Sequence, residues 1–313
     1  MKGEFKLIDR LTKYLPINDK DVIVGFGDDC ACVKIENELL IFTADIQVEN
    51  HHFIKEKIKP ENLGWKLVSV NVSDVVACGG IPKWGIISIA VPKNTNQKWI
   101  EKVYKGIKEA LNYYKFNIIG GNTSASEEII FDLFLTGKTK RFVSRSSAKE
   151  GQSVYISGET GLSRAGLELL LMDKKRYEKF EKELIEKHVK PKAKIDLQKT
   201  IEKYAESCID ISDGLVGDLR HVSTMSSVKI IIEKDKLPVH PLLEKFCRKY
   251  KKDPYQYILY GGEDYELAFT VDSKNEKHIK NCYKIGKVEK GKGIYLIENN
   301  KKIHLKEEGF EHI

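Results

Sequence analysis

The sequence lacks any long hydrophobic segment. Its longest apolar runs, residues 86–91 and 167–172, are far too short to cross a bilayer, and residues 1–5 open no hydrophobic signal region. Six cysteines are present, but no pair has the C-x-x-C spacing of a zinc or redox site. These absences predict a cytoplasmic protein that does not bind a membrane and whose thiols are reduced.

The common phosphate-binding motifs are also missing. Nothing matches the G-x-x-x-x-G-K-[ST] loop, and the set of Gly-rich loop, H-R-D and D-F-G typical of protein kinases is absent. An enzyme with this sequence that handles phosphate would therefore depend on metal ions and on positioning. Such a design is chemically adequate, because phosphoryl transfer needs mainly charge neutralisation and in-line geometry.

Basic charge is abundant but not clustered. The chain has 313 residues, of which 41% are apolar and 32% charged, and its net charge is +7. The lysines are spread along the whole sequence, and no compact basic stripe with interleaved aromatics is present, so we expect no nucleic-acid partner. A solvated Lys/Glu-rich surface, which also suits a hot habitat, explains the charge. The length allows two domains or one large domain.

Acidic residues set into apolar segments are the most informative feature. Such acids are costly unless positive charge meets them, and their convergence would raise their pKa values. Mg²⁺ relieves this cost, since it takes one or two carboxylates and fills its other positions with water and substrate phosphates. No clustering of His with Cys favours a softer metal. The acids are Asp28, Asp29, Asp45, Asp74, Asp210, Asp213, Glu263 and Asp264.

Hydrophobic periodicity predicts a first half with about six strands and two long helices. One helix is expected between Pro60 and Gly79, with Asp74 on its apolar face, and another over residues 99–114. We expect the strand at 117–119 to end in a turn formed by residues 120–123. The other strands of this half are expected at 21–26, 30–35, 38–44, 85–91 and 129–137.

The polar, basic region 141–151 predicts a domain boundary. Beyond it, the acids at 210 and 213 follow a short apolar strand, and the Gly-Gly-Glu-Asp sequence at 261–264 precedes another. Further strands are expected at 153–157, 228–232, 265–271, 283–288 and 294–298, and helices at 163–173, 176–187, 195–207 and 241–249. A short helix at 5–14 is expected in the first half.

Taken in order, these motifs resemble those of the thiamine-monophosphate kinase family, within the aminoimidazole ribonucleotide synthetase superfamily. Each motif alone is weak, but the ordered set covers nearly the whole chain. The matching motifs are Gly3-Glu4-Phe5, Gly27-Asp28-Asp29, Thr43-Ala44-Asp45, Asn50-His51-His52-Phe53, Asn71-Val72-Ser73-Asp74, Gly120-Gly121-Asn122, Ser163-Arg164-Ala165-Gly166, Asp210-Ile211-Ser212-Asp213-Gly214 and Gly261-Gly262-Glu263-Asp264-Tyr265.

The resemblance implies an α/β (α+β) fold with two domains. Residues 1–147 would form an N-terminal mixed-sheet domain that binds ATP and Mg²⁺ and makes the dimer interface. Residues 148–313 would form an α/β domain that completes the substrate site. The implied activity is ATP-dependent phosphorylation of thiamine monophosphate to thiamine diphosphate, the last step of thiamine diphosphate biosynthesis, by direct in-line transfer in a homodimer with several Mg²⁺ ions.

The resemblance also implies roles for individual residues. Asp45, Asp74 and Arg145 are expected to be catalytic, and the substrate is expected to contact His52, Glu263 and Phe310. The residues expected near ATP are Tyr104, Gly121, Asn122, Arg145 and Ser212. The expected metal ligands are Asp29, Thr43, Ala44, Asp45, Asp74, Asn122, Asp210 and Asp213, with Ala44 offering only its backbone. Asp28 is expected to shape its turn or to support the metal ligands from behind.

Two departures from the family pattern stand out. Asn122 replaces an aspartate that many relatives carry, which removes a negative charge but leaves an amide oxygen for Mg²⁺. Ala44 stands where a Thr-Thr-Asp pattern is usual. Three alternatives stay open: another ATP-dependent enzyme of the superfamily, a non-catalytic module that binds nucleotide or thiamine phosphate, and a metal-dependent phosphohydrolase. His51 and His52 could contact a phosphate or pack structurally.

Overall fold

The computed structural model describes residues 4–305, in which two mixed β-sheets are flanked by helices. The first sheet has six strands in the order β1-β2-β3-β6-β4-β5, and only the β4–β5 pair is parallel. Its strands are β1 (Val22–Val24), β2 (Ala31–Ile35), β3 (Glu38–Val48), β4 (Ile81–Val91), β5 (Asn117–Ala125) and β6 (Ile130–Thr139).

Three helices belong to this half, α1 (Glu4–Leu11), α2 (Pro60–Ala77) and α3 (Gln97–Tyr114). Proline at the first position of α2 has the backbone angle a helix requires and lacks only an N–H that would go unpaired there. α3 begins where the Asn96 side chain accepts a hydrogen bond of 2.9 Å from the Lys98 N–H. α2 is buried on nearly every side, because α3, the sheet and the second half of the chain all pack against it.

The second sheet has seven strands in the order β13-β12-β9-β11-β7-β10-β8, with β9 and β12 parallel. The strands are β7 (Ser153–Ile156), β8 (Ala205–Asp210), β9 (Val228–Glu233), β10 (Leu267–Val271), β11 (Tyr283–Lys290), β12 (Gly293–Glu298) and β13 (Lys301–His304). The helices are α4 (Leu162–Leu171), α5 (Lys179–Val189), α6 (Gln198–Tyr204), α7 (Leu215–Ser226), α8 (Pro241–Tyr250) and α9 (Pro254–Tyr260).

A shared core joins the two halves. The buried cluster around α2 and the first sheet continues into one face of the second sheet, where the Tyr155 and Phe269 rings stack with centroids 5.7 Å apart. A second cluster fills the other face of that sheet. Because α2 lies between the sheets, its C-terminal turn is brought close to the end of β8. The domain division at residue 147 stays a prediction.

The structure confirms most of the expected elements and corrects three features. Residues 120–123 are not a turn, because β5 continues through them alongside β4. Glycine suits this place, since a Cβ on Gly121 would lie 2.2 Å from the Ile87 carbonyl oxygen. The helix expected over 195–207 ends at Tyr204, since residues 205–210 pair with β10 instead. The strand expected at 30–35 begins one residue later, at Ala31, so Cys30 lies outside β2. Cys30 and Cys32 are nevertheless both buried.

α7, α9 and β13 were not expected from the sequence. All six cysteines are free, as predicted. Among residues 4–305, no helix combines the length and apolar character that a membrane span requires.

Candidate active site

A cavity of about 740 Å³ lies between the two halves of the chain. Its walls come from the Gly27–Asp29 turn, β3, the end of α2, the segment after β6, the start of α4, and the loops that follow β8 and α9. The structure thus gathers most of the expected site residues from distant parts of the sequence. Those that line the cavity are Asp29, Thr43, Ala44, Asp45, His52, Asp74, Arg145, Asp210, Ser212, Asp213 and Glu263.

Three carboxylates converge most closely. Each of Asp29, Asp74 and Asp210 offers one oxygen, and these oxygens lie within 4.8 Å of one another. Burial, reinforced by Asp45, raises the pKa of Asp74 well above its ordinary value, and burial with Asp29 does the same for the pKa of Asp210. Asp29 Oδ2 is buried without a hydrogen-bond partner among the described residues. This cluster fits a hard divalent cation.

Neighbouring polar side chains fix the acids of the first half. The Thr43 hydroxyl donates a 2.6 Å hydrogen bond to Asp74 Oδ2 and so orients this carboxylate. The Asp45 backbone N–H donates to Asn71 Oδ1 at 3.0 Å, while the Asn71 amide donates to the Leu67 carbonyl at 2.9 Å. Asn71, fully buried on α2, therefore ties β3 to the helix that carries Asp74. Asn71 belongs to the Asn-Val-Ser-Asp motif, but the motif gave no indication that Asn71 links β3 to α2.

Asp28 holds the turn rather than joining the three acids. Its carboxylate accepts hydrogen bonds from the Ser144 hydroxyl at 2.6 Å and from the backbone N–H groups of Arg145 at 3.2 Å and Asp29 at 3.1 Å. Burial and the neighbouring Asp29 charge raise the pKa of Asp28 to about 6. The contact brings the segment after β6 against the turn, in agreement with the turn-shaping role expected for Asp28.

Arg145 supplies positive charge at the edge of the acids. One of its guanidinium nitrogens donates to Asp29 Oδ1, in a pair whose Asp29 side chain is fully buried. Burial would lower the pKa of Arg145, but the Asp29 charge raises it above its ordinary value. The guanidinium thus stays charged and offsets part of the acidic cluster, and Asp29 keeps its second oxygen for another partner.

The loop after α9 is held tightly against the loop after β8. The Glu263 N–H donates to the Ser212 carbonyl at 2.7 Å, and a Cβ on Gly262 would lie 2.4 Å from that same carbonyl oxygen. Glu263 and Tyr265 have positive φ values of 60° and 51°, which are uncommon for residues with side chains. Such strain is typical of functional loops fixed by their surroundings. Glu263 lies on this loop and lines the cavity.

Two further acids accept hydrogen bonds from backbone N–H groups. Asp264, one of the acids singled out in the sequence, accepts from the N–H groups of Gly161 at 2.5 Å and Ser163 at 3.0 Å, at the start of α4. Burial raises the pKa of Asp264 to about 7. Asp218 accepts from the N–H groups of Asp213 at 3.2 Å and Gly214 at 3.1 Å and so fixes the loop that carries Asp213.

Three of the residues expected near ATP do not line this cavity in the described chain: Tyr104, Gly121 and Asn122. Tyr104 lies exposed on α3. In the sheet Asp45 pairs with Leu133, which pairs with Ile87, which pairs with Gly121. Three strand spacings, about 14 Å, therefore separate Asp45 from Gly121.

Gly121 is in register with Asp45, and Asn122 is the next residue in the strand. The Asn122 side chain therefore points to the face of the sheet opposite to that of the Asp45 side chain. Phe310 lies outside the described residues.

A smaller cavity of about 230 Å³ adjoins the first and has a more apolar wall, which includes Phe53, Ile58 and Leu170. His52 and Glu263 line both cavities. The Nδ1 atom of His52 accepts a 3.1 Å hydrogen bond from the Val48 N–H. This bond fixes the ring of a side chain that borders both cavities.

Two residues of this region were missed from the sequence. Lys66 is 1% exposed in α2 and pairs with Glu263, and His188 on α5 is buried beside the same carboxylate. A lysine inside the apolar segment 63–70 was the available signal for Lys66. Nothing in the sequence distinguished His188 from a surface histidine of a charged helix.

Comparison with known proteins decides the family. A thiamine-monophosphate kinase from Aquifex aeolicus (strain VF5) is 46% identical over 310 residues, which cover 99% of this chain and 98% of that protein. The chain belongs to the thiamine-monophosphate kinase family. The same enzyme name applies to a relative from Pyrococcus horikoshii, 35% identical over 92% of this chain and 91% of its own length.

Two further comparisons agree with this membership. The family model for the AIR synthase related protein, N-terminal domain, matches residues 27–139. A solved structure of AaThiL complexed with AMPPCP and TMP superposes with a TM-score of 0.92 at 45% identity, covering 99% of this chain and 97% of that one. The expected α/β fold of the aminoimidazole ribonucleotide synthetase type is therefore confirmed, as is the resemblance to the thiamine-monophosphate kinase family.

Proposed function

We infer that this protein transfers the γ-phosphoryl group of ATP to thiamine monophosphate and so forms thiamine diphosphate and ADP. The main support is its full-length similarity to a structure that holds an ATP analogue together with TMP. The cavity supports the same conclusion, because it collects eleven of the expected site residues. Its volume of about 740 Å³ lies within the range of small-molecule sites.

We propose Mg²⁺ as the metal, held chiefly by Asp29, Asp74 and Asp210. The buried Asp29 Oδ2, which has no hydrogen-bond partner among the described residues, and the raised pKa values of the other two acids are typical of carboxylates that bind a cation. Asp45, Asp213, Thr43 and the Ala44 backbone line the same cavity and are proposed as further ligands. Bound Mg²⁺ would neutralise the phosphate charges, which is the main requirement of this chemistry.

The chain's own groups have distinct tasks in the proposed reaction. Thr43 donates to Oδ2 of Asp74 and so holds this carboxylate in place within the acidic cluster. Arg145, charged and paired with Asp29, is positioned to meet nucleotide phosphate, and Ser212 lines the same cavity. The acceptor is the terminal phosphate of thiamine monophosphate, already an anionic oxygen. Direct in-line transfer therefore requires neither a general base nor a covalent enzyme intermediate.

We propose that the working form is a homodimer whose contact is the uncovered face of the first sheet. Ile46, Trp84, Ile86 and Phe134 are exposed on this face, and β5 is a nearly fully exposed edge strand. An apolar sheet face of this kind is typical of an interface. Asn122 lies on the same face, and Gly121 precedes it in the exposed edge strand, so both are proposed to reach ATP in the partner's cavity. Tyr104, exposed on α3, is proposed to contact the same ATP.

An assay that follows ADP, thiamine diphosphate and inorganic phosphate together tests the proposed activity. With Mg²⁺, ATP and thiamine monophosphate, the purified protein should form ADP and thiamine diphosphate in equal amounts. Release of inorganic phosphate without thiamine diphosphate would instead indicate a phosphohydrolase. Binding of both ligands without turnover would indicate a non-catalytic module, and a different phosphorylated product would indicate another enzyme of the superfamily.

A further inference from the structure

Lys66 is a buried cation that the proposed mechanism leaves unused. It lies in the middle of α2 with only 1% of its surface exposed. Its ammonium group donates to Glu263 Oε1 at 2.6 Å and to the His52 carbonyl oxygen at 3.4 Å. A charge buried this deeply is retained only where it is paired. Lys66 thus contacts both described residues that are expected to bind the substrate.

Glu263 is the partly exposed partner of this ion pair. Its side chain is 29% exposed, and it borders both cavities. Its second carboxylate oxygen lies 3.3 Å from Nδ1 of His188, and that nitrogen lies 3.0 Å from the Ser163 hydroxyl. Burial would raise the pKa of Glu263, but Lys66 and His188 beside it lower it below the ordinary value. The carboxylate is therefore ionised at neutral pH.

The two partners of the Lys66–Glu263 ion pair differ in their access to the cavities. Lys66 borders only the smaller cavity and has 1% of its side chain exposed, whereas Glu263 borders both cavities and has 29% exposed, so the carboxylate is the more accessible end of the pair. The larger cavity holds the acids suited to metal-bound phosphate, and the smaller one has a largely apolar wall. A molecule with a phosphate in the larger cavity and a heterocycle in the smaller one places its central part beside Glu263. In thiamine monophosphate that central part is the cationic thiazolium ring.

We propose that Lys66 is a positioning residue that holds the Glu263 carboxylate against the thiazolium ring, and that this arrangement selects a cationic substrate over a neutral one of the same shape. The inference rests on the proposed function and adds to it the origin of substrate selection. The φ of 60° fixes the backbone from which Glu263 extends, and the 2.6 Å hydrogen bond from Lys66 to Oε1 fixes the rotation of the carboxylate.

The test compares thiamine monophosphate with its deaza analogue, in which a neutral thiophene ring replaces the thiazolium. Wild-type protein should favour the cationic substrate by at least about tenfold in kcat/KM. In Lys66→Met the KM for thiamine monophosphate should rise by about tenfold, with the KM for ATP changed less than about twofold, and the preference should largely disappear. The exposed Lys105→Met serves as the matched control and should behave as wild type.

A double variant keeps the test valid if Lys66→Met does not fold. Glu263→Gln alone should lose the preference, and Lys66→Met with Glu263→Gln should fold and lose no more than the single Glu263 variant, because the pair acts as one unit. A preference that persists in Lys66→Met or in the double variant would overturn the inference. Equal rises in both KM values, or additive losses, would assign Lys66 a purely structural role and overturn it too. Failure of wild-type protein to make thiamine diphosphate would instead defeat the proposed function.

Discussion

The Thr43 hydroxyl donates a 2.6 Å hydrogen bond to Asp74 Oδ2 and thereby joins the middle of β3 to the last turn of α2. A carboxylate at the C-terminal end of a helix is disfavoured by the helix dipole, and Asp74 is further burdened by burial beside Asp45 and Asp210. Thr43 fixes the orientation of this group, one oxygen of which lies within 4.8 Å of an oxygen of Asp29 and of Asp210.

Asp74→Asn should reduce kcat/KM by about 1000-fold, because it removes a negative charge from the proposed metal site. The metal-free variant should unfold at the same temperature as wild type or at a higher one, since the raised pKa of Asp74 shows that its ionised form is costly. Turnover and thermal unfolding with and without Mg²⁺ measure both effects. Asp235→Asn, at an exposed acid, is the control. Normal turnover in the Asp74 variant would remove this residue from the site.

Arg145→Lys should raise the KM for ATP by about tenfold, because lysine keeps the charge but loses the planar fork. The fold should persist, since Asp28 is held by the backbone N–H of residue 145 rather than by its side chain. Steady-state kinetics in both substrates measure the effect. Arg248→Lys, in an exposed pair with Glu244, should leave both KM values unchanged. An unaltered KM for ATP in the Arg145 variant would place the nucleotide elsewhere.

His188 should make the fold sensitive to acid. Burial, and then Lys66, lower the pKa of His188 from 6.5 to about 4, so the unfolded chain binds its proton more readily than the folded one. Its contribution to stability is therefore complete above pH 6.5 and is lost as the pH falls towards 4, by up to about 3 kcal/mol. Urea unfolding at pH 7 and pH 5 should show a smaller loss in His188→Gln than in wild type.

The exposed His278→Gln is the matched control for this experiment and should retain the wild-type pH dependence. An identical loss of unfolding free energy in the His188 variant and in wild type would show that His188 is not the responsible group.

Mixing two inactive variants tests the shared site of the proposed homodimer. Asp74→Asn should inactivate the cavity of its own chain, and Asn122→Ala should impair the cavity of its partner. A mixed dimer then contains one intact site, so an equal mixture allowed to exchange subunits should recover about one quarter of wild-type activity. Activity assays after subunit exchange measure the recovery. Two Asp74 variants, Asp74→Asn and Asp74→Ala, mixed in the same way should recover nothing.

No recovery in the Asp74 and Asn122 mixture would mean that Asn122 acts within its own chain or not at all. The oligomeric state, measured by light scattering, should be dimeric for wild type and for each variant. In Phe134→Asp, which places a charge on the uncovered sheet face, the dimer should dissociate.

The elements that the sequence predicted well are those with strong local signals. α2 begins at Pro60 and α3 follows a clear apolar stripe, so proline chemistry and helical period fix both. The errors arose where pairing with a strand distant in the sequence decides the secondary structure. Residues 120–123 read as a turn because of their two glycines, yet β4 offers them a long parallel partner. Residues 205–207 read as helix, yet β10 recruits them into a strand.

The sequence by itself determined the family, the acids of the site and the expectation of a metal-dependent phosphoryl transfer, because residue type and order carry the charge and the motifs. Only the tertiary structure decided how those acids divide their tasks. It places Asp29, Asp74 and Asp210 together, turns Asp28 and Asp264 to backbone N–H groups, and pairs Lys66 with Glu263. Distances between residues far apart in the chain depend on packing, and the local sequence does not encode them.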